Sequence, residues 1–126
     1  MNTGVLIVGK AAFMRMAIKE IIRIDGHQVA GEAENDHDAI KKYKDLKPNV
    51  AIIDITMPEI HWVDVIIKIK EFDDAAKIII IAAVGQQTTL IQSIRAGAKD
   101  FVVKPLQPDR ILSSLQKMTS EELVFA

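Results

Sequence analysis

The stretch "GVLIVGKAAF", Gly4 to Phe13, decides how the rest of the chain is read. As a pattern it is a glycine, four residues, then Gly9-Lys10, which is most of a phosphate-cradling P-loop. That motif next needs a Ser or Thr hydroxyl to hold Mg²⁺, and Ala11 has none. The intervening Val5, Leu6, Ile7 and Val8 form an apolar, mostly β-branched run, whereas a P-loop needs polar, flexible backbone there. Such a run reads as a buried strand. Gly9 and Lys10 then stand where a first strand ends, and any function assigned to them has to follow from that place.

Working outward, the chain has 126 residues, enough for one domain that buries roughly two-thirds of its unfolded surface without staples. With no cysteine there is neither a disulfide nor a thiolate metal site, which suits a reducing cytoplasm. The longest apolar run, Ile78 to Val84, is far short of a membrane span, and no basic flank precedes the first hydrophobic run. Sixteen basic and seventeen acidic residues leave the chain near neutral and without a basic block, so neither nucleic-acid binding nor membrane insertion is expected.

Apolar runs alternate with segments of helical period, the pattern of a parallel sheet covered by helices on both faces. Strands are expected at Val5–Val8, Gln28–Ala33, Val50–Ile55, Lys77–Ala83 and Asp100–Val103. Between and after them helices are expected over Phe13–Ile24, about Asp38–Leu46 with Asn35 or Asp36 as cap, from a turn at Met57-Pro58 to about Phe72, about Thr88–Ala96, and from Pro108 through Met118. In a doubly wound sheet, ligands gather beyond the carboxyl ends of the strands. The residues there are Gly9, Lys10, Asp54, Ala82 and Lys104.

Two of these strand ends carry recognisable patterns: "IIDITMPE", an aspartate at a strand end followed by Met-Pro, and "AGAKDFVVKP", a strand ending in Lys-Pro. With them the chain resembles a receiver domain of a two-component response regulator, most similar to the single-domain chemotaxis receivers of the CheY type, from Val5 to about Met118. The resemblance implies an α/β flavodoxin-like (βα)5 doubly wound sandwich with a five-stranded parallel sheet of order 2-1-3-4-5. One domain would span residues 1–126, with a core of about 4–118 and a short tail, 119–126. It also implies a cytoplasmic signalling module and not a turnover enzyme, phosphorylated by a histidine kinase on one aspartate, here Asp54. Lys104 matches the lysine that contacts the phosphoryl oxygens, Thr56 the position whose backbone carbonyl helps to ligate the metal, and Phe101 the aromatic position that changes rotamer in switching. A protein partner would dock on the face of the fourth helix, fifth strand and fifth helix, near Ile94, Arg95, Lys99 and Phe101.

The departures from that family pattern are specific. Gly9 and Lys10 stand where the family has two adjacent acids that hold Mg²⁺, and Ala82 stands where a Ser or Thr hydroxyl couples the phosphoryl group to the helical surface. Trp62 replaces a usual glycine. Mg²⁺ demands several oxygen ligands, and Asp54 with Lys10 and Lys104 carries net positive charge where the family's three carboxylates and one lysine carry net negative charge. Were Lys10 within about 4 Å of Asp54, their attraction would be on the order of 4 kcal/mol at an effective dielectric of about 20, before desolvation. The expectation is a pseudo-receiver: a two-component, CheY-like protein-binding module impaired in Mg²⁺-dependent phosphorylation, with no cofactor. The alternative is a conventional receiver phosphorylated on Asp54 with Mg²⁺, and a remote one is a P-loop-like nucleotide-binding protein.

Beside these stand plainer readings. Asp54 can merely cap its turn, and Lys10 can point into solvent. His27, His37 and His61 lack ligand spacing and are expected on the surface. Trp62 can be a partner anchor, a cover over the altered pocket, or core packing; Met14 and Met16 are expected to pack their helix.

Overall fold

The computed structural model describes residues 4–56 and 61–124. Its elements alternate without exception: β1 Gly4–Val8, α1 Ala12–Ile24, β2 Gln28–Ala33, α2 Asp36–Leu46, β3 Val50–Asp54, α3 Trp62–Phe72, β4 Ile78–Ala82, α4 Gln87–Ala96, β5 Asp100–Val103 and α5 Pro108–Val124. The strands form one parallel sheet of order β2-β1-β3-β4-β5. Sheet order and class are those the sequence predicts.

The apolar runs are continuous because the central strands are covered on both sides, and the period of two divides their side chains between two cores. Leu6, Val8, Ile53, Ile78 and Ile80 pack with Ala39 and Tyr43 of α2 and with Trp62, Val65, Ile66 and Ile69 of α3. Val5, Ile7, Ile52, Ile79, Ile81 and Val102 pack with Ile18, Ile21 and Ile22 of α1 and Ile111, Leu115 and Met118 of α5. Each such side chain contributes roughly 1.5–3 kcal/mol by leaving water.

Local chemistry sets the helix ends. Asn35 caps α2 by accepting the Asp38 N–H at 2.8 Å, so α2 starts two residues before the expected point. Gly97 ends α4 at φ 126°, where a Cβ would also lie 2.9 Å from the Lys70 side chain. Residues 119–124, expected as tail, continue α5. The expected turn at Met57-Pro58 lies outside the described residues.

Gly4–Val8 is a fully paired strand between β2 and β3, so the Gly…Gly-Lys spacing does not make a phosphate-binding loop. Because β1, β3 and β4 run side by side in register, with Val8 opposite Ile53 and Asp54 opposite Ile81, the residues that follow each strand converge at one end of the sheet.

Candidate functional site

Asp54, the last residue of β3, is 4% exposed, and both of its carboxylate oxygens are engaged. Oδ1 accepts the Thr56 N–H at 2.9 Å and the Thr56 hydroxyl at 2.6 Å. Oδ2 faces Lys104 Nζ at 3.2 Å, and the same ammonium donates to Thr56 Oγ1 at 2.9 Å. Lys104 reaches this position because its backbone N–H extends the β4–β5 pairing onto the Ala82 carbonyl at 2.8 Å. Asp54, Thr56 and Lys104 therefore close a ring of charge-assisted hydrogen bonds and one ion pair, the former each roughly twice as strong as a neutral hydrogen bond.

Among the described residues the opposite wall carries no carboxylate. Gly9 is buried, and a Cβ built on it would stand 3.2 Å from Asp54 Cβ, so a side chain at this position would face Asp54 directly. Lys10 is exposed, and among the described residues the Asp54 carboxylate is ion-paired to Lys104 alone. This corrects the electrostatic expectation: the cation neutralising Asp54 is the retained lysine at the end of β5, not Lys10. A different cation, Arg15, braces the β1–α1 turn. Arg15 Nη1 donates to the carbonyls of Gly9 at 2.6 Å and Lys10 at 3.1 Å, while Arg15 Nε binds Glu32 Oε1 at 3.0 Å. Glu32 is held below the usual carboxylate range by its hydrogen bond from Lys19, against burial and with help from Arg15. Arg15 and Glu32 border a polar cleft of about 290 Å³ between α1, β2 and α2, lined also by Ala33, Glu34, Asp38 and Lys42.

The donor set fits Mg²⁺ poorly. The ion takes oxygen ligands in near-octahedral geometry, and the Asp54 carboxylate already accepts from a hydroxyl and an amide and is ion-paired with an ammonium. Among the described residues no three acidic or imidazole groups converge. Ala82 is 1% exposed and brings only a methyl group to the end of β4.

The predicted residues thus divide. Gly9, Asp54, Thr56, Ala82 and Lys104 meet at the carboxyl end of the sheet, whereas Ile94, Arg95, Lys99 and Phe101 are exposed on α4, its following turn and β5. Phe101 is 38% exposed. Trp62 is 2% exposed within the α3 core, so the packing reading replaces those of a partner anchor or pocket cover. His27 departs from expectation: its side chain is only 10% exposed, with Nε2 3.4 Å from Asp25. Met14 packs as expected, but Met16 and Phe13 face solvent. Sequence reasoning missed three site residues: the Thr56 side chain, Arg15, and Gln86, whose amide bridges the ends of β3 and β4. A helical residue one turn past a strand end, as Arg15 is, was the only available signal.

A family model, the response regulator receiver domain, matches residues 5–116. Chemotaxis protein CheY of Thermotoga maritima is 52% identical over 119 residues, covering 94% of this chain and 99% of the relative. CheY of Bacillus subtilis is 49% identical over 113 residues, covering 90% and 94%. Among solved structures, the CheX–CheY–BeF3–Mg complex of Borrelia burgdorferi matches with a TM-score of 0.85 at 29% identity, over 93% of this chain and 89% of that one. A receiver domain from Clostridium thermocellum matches with a TM-score of 0.88 over 98% and 99%; at 19% identity it speaks for the fold alone.

Proposed function

The chain belongs to the response regulator receiver domain family, and from that membership we propose that it is a pseudo-receiver: a CheY-like signalling module that binds a protein partner with its aspartate site closed by its own side chains. The observation that carries this reading is the state of Asp54. Its two oxygens are occupied by Thr56 and Lys104, and a glycine faces it where an acid would complete a metal cage. Phosphoryl transfer depends on metal and cationic groups placed on the transferring oxygens, and the attacking carboxylate must be available. An Asp54 held in a closed ring, without a partner acid among the described residues, is a blunted nucleophile.

The output surface on this reading is the α4–β5–α5 face, where Ile91, Ile94, Phe101 and Val103 are exposed beside Arg95 and Lys99. The chain works in the cytoplasm on the same reading; among the described residues no helix is long and apolar enough to cross a membrane.

A second reading, a conventional receiver phosphorylated on Asp54 with Mg²⁺, is favoured by one observation, the retained contact of Lys104 with the acceptor carboxylate. One experiment separates them. The protein is incubated with a small acyl phosphate and Mg²⁺ and its intact mass is measured. The pseudo-receiver gains no phosphoryl group, and the double variant Gly9→Asp with Lys10→Asp gains one that disappears with Asp54→Asn. Efficient phosphorylation of the unaltered chain on Asp54 overturns the proposal and leaves the second reading. Gly9→Asp requires its surroundings to give by a few tenths of an ångström, since the new Cβ meets Asp54 Cβ at 3.2 Å.

A further inference from the structure

α4 is thinly anchored. It fully buries only Ser93, with Leu90 and Ala96 partly buried against the core, whereas α3 fully buries Trp62, Val65, Ile66 and Ile69. The hydroxyl of Ser93 is turned back onto its own helix, donating to the Thr89 carbonyl at 2.8 Å. No acidic residue lies in the first turn of α4, and the side chain of its N-cap residue, Gln86, makes no capping bond to the helix. That side chain is used elsewhere. Gln86 Nε2 donates to the Ile55 carbonyl at 3.0 Å, and Gln86 Oε1 accepts the Ala83 N–H at 2.8 Å. The residue's own backbone joins the loop to the helix: its N–H donates to the Ala83 carbonyl at 3.2 Å, and its carbonyl accepts the Leu90 N–H at 2.9 Å. Gly85, at φ 95°, allows the turn this requires.

The position of the far end matters. Ile55 lies between Asp54 and Thr56, the two residues whose side chains form the closed ring with Lys104, and its carbonyl belongs to the same peptide group as the Thr56 N–H that binds Asp54. One amide side chain therefore ties the Asp54–Thr56 turn to the first turn of α4, past Ala82, which has no hydroxyl to do so.

We propose that Gln86 is a positioning residue that couples the Asp54–Thr56 turn to α4, setting the orientation of the exposed α4 face by a bridge that needs neither a phosphoryl group nor a hydroxyl at position 82. Its consequence for partner binding rests on the α4–β5–α5 reading above; the coupling itself does not. Coupling of this kind requires two sites and an element that both bias, here the loop 83–86 and the start of α4.

Amide hydrogen exchange on the isolated protein tests it, without any partner. In Gln86→Ala the amides of Leu90 to Arg95 exchange about 10-fold faster, as expected when a thinly packed element loses a part-buried cross-link, while α3 and α5 amides and the urea midpoint stay near those of the parent. Gln86→Glu keeps an acceptor for Ala83 but loses the donor to Ile55, and it releases α4 as fully as alanine does. Thr56→Val, which removes the hydroxyl from the ring, accelerates α4 exchange in the parent but adds nothing in the Gln86→Ala background. Unchanged α4 exchange in Gln86→Ala, parent-like exchange in Gln86→Glu, or additive effects of Thr56→Val and Gln86→Ala would each overturn the proposal. If the exchange results hold and a partner proves to bind elsewhere, the coupling stands and the surface reading falls.

Discussion

The two helices that frame the proposed output face are held in different ways. α5 inserts Ile111, Leu115 and Met118 into the core and is also tied to β5 through Asp100. That carboxylate accepts from Ser114 Oγ at 2.6 Å and from Arg110 at 3.2 and 3.4 Å, and Lys117 lies 3.7 Å away. Burial works to raise the Asp100 pKa, yet the bonds from Arg110, Ser114 and the Phe101 N–H outweigh it and bring it down to about 2. α4 has one buried side chain and a bridge from its cap residue. A face built from one fixed and one lightly held helix can change shape at modest cost, because local opening draws on elements with few buried apolar contacts.

Four substitutions sharpen or break this contrast. Leu115→Ala, on the fixed helix, should cost the most, about 3 kcal/mol in urea unfolding, because it empties a fully buried site. A loss under about 1 kcal/mol would mean that α5 is not core-anchored. Asp100→Asn should follow at about 2 kcal/mol at neutral pH, the value of a shift from 3.8 to about 2. The sign is that of a depressed carboxylate: the contribution is present above the unfolded value of 3.8 and fades as pH falls through about 2. The parent and Asp100→Asn should thus converge in stability across that window, and parallel curves would rule the clamp out.

Gly97→Ala, at the end of α4, should cost about 1 kcal/mol for a φ of 126° plus displacement of the Lys70 chain, with lost protection confined to α4 and its turn. Ser93→Ala should be the mildest, within about 0.5 kcal/mol, since its hydroxyl satisfies only its own helix. A larger loss there would show α4 to be anchored more like α5.

The sheet was legible because its evidence is local and periodic. Five apolar runs separated by helical spacing leave little freedom in class, and the two strand-end patterns located Asp54 and Lys104. Element ends moved by a residue or two where a cap decided them, as at Asn35. The site was legible as a set of positions but not as a set of bonds. Lys10 and Lys104 offer the same charge on the same stem, and only the path of the β1–α1 turn and the reach from β5 distinguish them. Trp62 beside His61 was open to three readings until the indole was found inside the α3 core.

From residue order alone follow the parallel sheet and the end of it where chemistry gathers, since composition and strand periodicity depend only on neighbours along the chain; the resemblance to receivers is what marks Gly9 and Lys10 as standing in place of acids and Ala82 in place of a hydroxyl. Tertiary structure decided that Lys104 neutralises Asp54, that the Thr56 hydroxyl closes the ring, that Arg15 braces the turn where the acids would be, and that Gln86 crosses from β4 to β3. The pairs Thr56–Lys104 and Ile55–Gln86 are 48 and 31 residues apart, and hydrogen bonds hold only within a few tenths of an ångström, so their partners exist only once the strands have set their register.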